Sequence, residues 1–216
     1  MSEQPHRYIV VEGPIGVGKS SLTNLLSERF AARRVMEVVE ENPFLSAFYS
    51  DRAKYAFQTQ MFFLLSRFRQ QQELFQQDLF NAVTVSDYLF AKDRIFAHLT
   101  LDTNELALYE RVFEALGPRV TKPDLVIYLQ ARLDVLRGRI KKRARDFERK
   151  FDPQYLEDLC KAYNEFFFHY DETPLLVVNT SDIDFVHNEA DLENLMTVIS
   201  QTRKGTHHYQ PMSSRK

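Results

Sequence analysis

The chain has one cysteine in 216 residues, Cys160, so no disulfide can form within it. The run Tyr155-Leu156-Glu157-Asp158-Leu159-Cys160 puts that thiol at a helix position facing a core, a packing role rather than a nucleophile's. No apolar stretch approaches the roughly 20 residues that a membrane helix needs. The first apolar strand begins within a few residues of the N-terminus, so no secretory leader is expected. A cytoplasmic protein with no membrane partner is therefore expected. Charge of one sign is also missing, since 28 basic and 30 acidic residues leave a net charge of -2. That balance argues against a protein that coats nucleic acid. The sequence also lacks internal repeats and low-complexity linkers. Hydrophobic residues make up 44%, which suits a folded globular chain. One domain over residues 1–201 is expected, followed by a polar, disordered tail at 202–216.

What is present begins with Gly13-Pro14-Ile15-Gly16-Val17-Gly18-Lys19-Ser20, which fits the phosphate-binding pattern G-x-x-x-x-G-K-[ST]. Glycines let the backbone curl so that successive N–H groups point inward at a polyphosphate. Lys19 can reach the β- and γ-phosphates, and the Ser20 hydroxyl can ligate Mg²⁺. The setting fits the pattern. Tyr8–Glu12 is a short apolar run, and Leu22, Leu25, Leu26 and Phe30 recur at helical spacing after the loop.

Four more apolar runs read as strands: Val35–Val39, Ala82–Ser86, Leu125–Gln130 and Leu175–Asn179. Continuous rather than alternating runs suit a parallel sheet covered on both faces. Helical patterns lie between them, over Tyr55–Phe80, Asn104–Leu116, Leu133–Lys142, Tyr155–His169 and Asp191–Ile199. The expected fold is α/β: a five-stranded parallel sheet flanked by helices, of the P-loop NTPase type, with an arginine-rich lid.

Ligands of such sheets bind beyond the carboxyl ends of the strands. Strand two carries Glu37, Glu40 and Glu41 at or after its end, and strand three ends at Ser86-Asp87. Asp87 suits a Mg²⁺ site beside the phosphate loop; a helix N-cap is the other reading. A carboxylate after strand two favours an alcohol acceptor, which must lose a proton, over an anionic phosphate acceptor. A basic cluster follows strand four: Arg137, Arg139, Lys141, Lys142, Arg143, Arg145, Arg149 and Lys150. It reads as a solvated face, a nucleic-acid patch, or a lid over donor phosphates. The interrupting Asp146 and Glu148 favour the lid. Neither an N-K-x-D signature nor a D-x-x-G after strand three is present, which argues against a switch GTPase.

These residues resemble the deoxynucleoside kinases, and in particular their bacterial deoxyguanosine/deoxyadenosine kinase branch. The resemblance rests on Glu12 to Ser21, on Glu37-Val38-Val39-Glu40-Glu41-Asn42-Pro43-Phe44-Leu45 with Phe48-Tyr49, on Phe57 to Phe63, on Ser86-Asp87-Tyr88, and on Arg139 to Glu148. It implies ATP as phosphate donor, Mg²⁺, a deoxynucleoside accepting at its 5′-hydroxyl (a purine for preference), and a homodimer. Glu37 matches the family's proton-accepting carboxylate. Gln58 matches its base-reading glutamine, although helical position alone would leave Gln58 exposed. Phe57 matches the base-stacking wall, and plain core packing explains it equally well. Tyr49 and Glu148 match the pair that reads the 3′-hydroxyl, and Asp93 falls in the base pocket. Arg139, Arg143 and Arg145 match lid arginines, of which Arg143 and Arg145 join Glu37 and Lys19 as catalytic candidates. Asp184-Phe185 resembles the loop that holds the donor base, beside Gly13, Gly16, Val17, Gly18, Lys19, Ser20 and Ser21. Two departures stand out. Tyr88 occupies the place of an arginine that supports the carboxylate in animal members, which makes Lys92 a candidate for its cation. Counting from Gln58, the arginine of pyrimidine-preferring members falls on Leu65, with Arg67 nearby. The rival readings are a thymidylate-type monophosphate kinase and a non-catalytic nucleotide-binding module.

Overall fold

The protein is described by a computed structural model covering residues 6–37, 41–77, 83–143 and 153–210, with side chains at 73–77 left aside. Among these residues six parallel strands form one sheet in the order β2-β3-β1-β4-β5-β6. β1 (Tyr8–Glu12), β4 (Leu125–Gln130) and β5 (Leu175–Asn179) fall where the apolar runs place them. β1 is buried along its whole length, and its residues alternate between two cores. Ile9 and Val11 pack with Leu22 and Leu26 of α1 (Lys19–Arg29), Leu136 and Ile140 of α6 (Leu133–Arg143), and Leu195 and Ile199 of α8 (Glu189–Gln201). Tyr8 and Val10 face Ile95 of α4 (Asp93–Thr100) and Leu159, Tyr163 and Phe167 of α7 (Pro153–Phe168). Burial on both faces explains why the sequence of β1 does not alternate.

A third layer lies over the acceptor end. α2 (Leu45–Ser50), the long α3 (Arg52–Gln77) and α5 (Thr103–Leu116) close on one another through Leu64, Phe90, Tyr109, Phe48 and Tyr155. A capping box starts α5: the Asp102 carboxylate accepts from the Glu105 N–H while Glu105 reaches back to the Asp102 N–H.

Two strands depart from expectation. β2 is Arg33–Val35, ahead of the expected Val35–Val39, of which 38 and 39 lie outside the described residues. β3 is Thr84–Ser86. A sixth strand, β6 (Thr206–Tyr209), runs beside β5 inside the segment expected to be a disordered tail. β2 and β6 are edge strands in which charged or polar residues predominate (Arg-Arg-Val and Thr-His-His-Tyr). Their edge position removes the need for an apolar run, and polar residues discourage edge-to-edge association. The short helices α2 and α4 are additions to the sequence reading.

Register assembles the site. Val10 of β1 lies opposite Ser86 of β3, and Ser86 lies opposite Val35 of β2. The chain therefore emerges from one row of three neighbouring strands as the phosphate loop, as Asp87 and as Glu37.

Candidate active site

The loop between β1 and α1 turns on three glycines with positive φ: Gly13 at 152°, Gly16 at 83° and Gly18 at 109°. A Cβ on Gly13 would stand 2.5 Å from the Leu129 carbonyl oxygen of β4, and one on Gly16 would stand 2.7 Å from Ile140 of α6. The loop is thus wedged between the central sheet and α6, where only glycine fits. Lys19 folds back over it, its ammonium donating to the carbonyls of Gly13 (2.6 Å) and Pro14 (3.4 Å). Burial pushes that ammonium below its ordinary value, against the pull of Glu12, Glu37 and Asp87.

A cavity of about 540 Å³ opens over the loop. Gly16, Val17, Gly18, Lys19, Ser20 and Ser21 form its floor, Arg139 and Arg143 its lid side, and Asp184, Phe185 and His187 its far wall. Phe185 is buried against Gly18. Arg139 spans three elements: its guanidinium donates to the Val17 carbonyl (3.0 Å) and to the hydroxyl (3.1 Å) and carbonyl (2.9 Å) of Thr180. It ties α6 to the phosphate loop and to the segment after β5.

A second, more apolar cavity lies under α3. It is walled by Leu45, Phe48, Phe63, Phe96, Tyr155 and Tyr163, with Thr59, Gln60, Arg67 and Lys92 as polar members. The two cavities share Ile15, Lys19, Glu37 and Tyr49. Glu37 therefore stands at their junction.

Two cations fix this carboxylate. Arg67 pairs with both Glu37 and Asp93, and the Lys92 ammonium lies 2.9 Å from Glu37 and 3.5 Å from Glu12. Burial alone would raise the Glu37 carboxyl, but Arg67 and Lys92 reverse that and hold it well below the usual carboxylate range. Asp87 accepts from the Ser20 hydroxyl (2.9 Å) and the Glu37 N–H (2.6 Å), so it joins strand three to the phosphate loop and caps no helix. Burial pushes the Asp87 carboxyl up. Glu12, wholly buried at the end of β1, accepts from the N–H groups of Gly13 (2.9 Å) and Leu89 (2.8 Å) and from the Tyr163 hydroxyl (3.0 Å).

Several expectations change place. Gln58 is exposed on α3, and Phe57, half-buried, lines neither cavity. Gln60, two residues on, is 3% exposed and faces the second cavity. The same offset moves the arginine: Leu65 is 49% exposed, whereas Arg67 is buried at the cavity. Gln60 and Arg67 lie two helical turns apart on one face of α3. Asp93 lies behind Arg67 rather than on the cavity wall. Arg145 and Glu148 fall outside the described residues. Glu12 and Arg67 carry no assigned role in the sequence reading, though a signal exists for each. Glu12 is an acid closing an apolar strand, and Arg67 recurs with Gln60 and Gln71 at helical spacing inside an aromatic helix.

A phosphate loop, an acid at the adjoining strand end and a basic helix over the loop define a P-loop phosphotransferase; an ionised carboxylate facing a second, more apolar cavity suits an alcohol acceptor. Sequence comparison narrows the class. The deoxynucleoside kinase family model matches residues 9–203. A deoxyguanosine kinase of Bacillus subtilis (strain 168) is 37% identical over 199 residues, covering 90% of this chain and 96% of its own. A deoxyadenosine kinase of Lactobacillus acidophilus (strain ATCC 700396 / NCK56 / N2 / NCFM) is 34% identical over 211 residues, covering 91% and 96%. The solved structure of a deoxyadenosine kinase from M. mycoides with bound dATP superposes with a TM-score of 0.77 at 27% identity, covering 90% of this chain and 99% of that one. The chain belongs to the deoxynucleoside kinase family: it is a phosphotransferase with ATP as donor and a deoxynucleoside as acceptor.

Proposed function

We propose that the protein, as one catalytic domain in the cytoplasm, transfers the γ-phosphoryl group of ATP to the 5′-hydroxyl of purine deoxynucleosides in nucleotide salvage. The observation that carries this reading is Glu37, ionised at the junction of a phosphate cavity and an aromatic cavity. The names of the two relatives reported above, a deoxyguanosine and a deoxyadenosine kinase, support the purine.

In this reading Lys19 leaves the loop carbonyls to meet the donor's terminal phosphates, with Arg143 and Arg145 closing from the lid. Ser20 and Asp87 place a hydroxyl and a carboxylate side by side at the loop, hard oxygens that fit Mg²⁺. When bound, the ion would neutralise charge on the phosphates. Asp184-Phe185 borders the donor base. The acceptor's base lies among Phe63, Phe96 and Tyr155 with the amide of Gln60 on its edge, and Tyr49 and Glu148 attend the sugar. Packed against the sugar, Tyr49 would leave little room for a 2′-hydroxyl.

Glu37 is a weak base by design. Arg67 and Lys92 keep it charged, so it accepts a hydrogen bond from the 5′-hydroxyl and aligns the oxygen with the γ-phosphorus. In a loose transition state the hydroxyl becomes strongly acidic only late, as the new P–O bond forms. A base of low pKa therefore suffices, and the proton passes to Glu37 at that stage.

Homodimerisation belongs to this proposal. Phe63 and Phe167 are committed to the cavity and the core, but Phe168 is 83% exposed, and Leu65 and Leu108 are exposed on α3 and α5. Sedimentation velocity reads the assembly directly, and a single monomeric species rejects it. The function is tested with ATP, Mg²⁺ and eight acceptors, the four deoxynucleosides and their 5′-monophosphates. Phosphorylation of deoxyadenosine and deoxyguanosine above the pyrimidines is expected. Activity confined to monophosphates overturns the kinase reading, and activity confined to pyrimidine deoxynucleosides overturns the purine preference.

A further inference from the structure

Thr100, the last residue of α4, lines neither cavity, yet it decides how Gln60 presents its amide. A threonine hydroxyl has one proton to donate. Here that proton goes to the Phe96 carbonyl at 2.7 Å, one helical turn back. Toward Gln60 the same oxygen has only lone pairs left, and it accepts from the Gln60 Nε2 at 3.3 Å. An amide is nearly symmetric in shape, so its two ends are told apart only by their partners. Rotating the Gln60 amide by 180° would set its carbonyl oxygen against an oxygen with no proton to offer. Thr100 thus holds Nε2 on its own side and leaves the carbonyl oxygen and the second N–H to the cavity that Gln60 lines.

We propose that Thr100 is a positioning residue that sets base selectivity by locking the orientation of the Gln60 amide. The inference rests on the reading that the second cavity holds the nucleoside base. Adenine and cytosine present an amino donor beside an acceptor ring nitrogen. Guanine and thymine present an oxo acceptor beside a ring N–H. The two orders are mirror images. With the sugar held at Glu37, the base edge meets Gln60 in a set direction. An amide locked one way pairs with one order and places like against like on the other. An amide free to turn serves both.

The test compares kcat/KM for deoxyadenosine and deoxyguanosine, two purines of nearly equal size, in the wild type and in three variants. Thr100→Val keeps the shape and removes the hydroxyl, and Thr100→Ser keeps the hydroxyl and removes the methyl group. Thr100→Ala removes the hydroxyl without adding bulk, should valine impair folding. The wild type should discriminate between the two purines. In Thr100→Val and Thr100→Ala that ratio should move toward unity by about three- to ten-fold, the equivalent of one buried neutral hydrogen bond. Thr100→Ser should keep the wild-type ratio. An unchanged ratio in folded Thr100→Val and Thr100→Ala overturns the proposal, as does a ratio that follows the methyl group, with serine altered and valine normal. A wild type that phosphorylates no deoxynucleoside overturns the functional reading beneath it, and that outcome is visible before any variant is made.

Discussion

Lys92→Met is the sharpest probe of how the acceptor side is held together. Lys92 is 2% exposed and stands between two carboxylates, Glu37 at 2.9 Å and Glu12 at 3.5 Å. Methionine fills nearly the same space without charge. Glu37 keeps Arg67 in the variant. Among the described residues Glu12 then keeps hydrogen bonds from neutral donors alone: Gly13 N–H, Leu89 N–H and the Tyr163 hydroxyl. Removing one partner of a buried pair costs about 3–5 kcal/mol, chiefly for the charge left behind. Three retained hydrogen bonds argue for the lower end, about 3 kcal/mol. For a chain of this length that lowers Tm by roughly 6–12 °C. The exposed pair of Arg29 and Glu193, with side chains 57% and 46% accessible, supplies the control. Arg29→Met should cost under about 1 kcal/mol. Glu12→Gln added to Lys92→Met removes the stranded charge, so the double variant should regain at least half of the loss. Urea unfolding without ligand measures all five proteins, the Glu12→Gln single variant among them, and equal m-values confirm that the same transition is compared. A Lys92→Met loss below about 1 kcal/mol would refute the reasoning. So would a double variant as unstable as the two single losses added together, since coupled partners must be non-additive.

Four further outcomes follow from the structure. Glu37→Gln should lower kcat by about 10²–10⁴ with ATP binding retained, read by rapid-quench turnover and by calorimetry; loss of ATP affinity instead would assign Glu37 to the donor side. Because Arg67 and Lys92 hold the Glu37 carboxyl well below its ordinary range, the kcat/KM profile should show no acid limb from this group between about pH 5 and 7, and a limb there that Glu37→Gln abolishes would contradict the arrangement. Gly13→Ala drives a methyl group into the Leu129 carbonyl of a central strand, at a φ that favours glycine, so a loss of about 2–5 kcal/mol and of ATP binding is expected in thermal melts with and without nucleotide. His6 is 3% exposed, and burial lowers its pKa below the ordinary 6.5. Its folded value is the depressed one, so the unfolded chain binds the proton more readily. The stabilising effect is therefore complete above about pH 6.5 and is lost as pH falls through the folded value. His6→Gln should flatten that part of the stability profile in urea melts taken from pH 7.5 to 5; an unaltered slope would exclude His6 as its source.

The central strands were legible because their physics is local. β1, β4 and β5 are covered on both faces, so each reads as an unbroken apolar run, and the Gly13–Ser20 loop follows β1 as its pattern requires. Edge strands carry no such mark, and β2 and β6 were displaced or missed for that reason. On α3 the difficulty was different. Gln58 and Gln60 sit two residues apart in one helix, about 200° around its axis, so one faces solvent whenever the other faces the core. Nothing in the residue types says which. Only the packing of α3 against α2, α4 and α5 does.

Taken alone, the sequence determined that a nucleotide's phosphates bind between β1 and α1 and that carboxylates follow the neighbouring strands. Those facts live in contiguous residues, where backbone geometry and burial leave a direct imprint. The tertiary structure alone decided which side chains make the acceptor half. Gln60 rather than Gln58 meets the cavity, Arg67 and Lys92 hold Glu37, and Glu12 stands behind Lys92. These groups come from β1, α3 and the turn before α4, far apart in the chain. Burying so many charges together is stable only when each finds a partner, and that pairing is a property of positions in space rather than of order along the sequence.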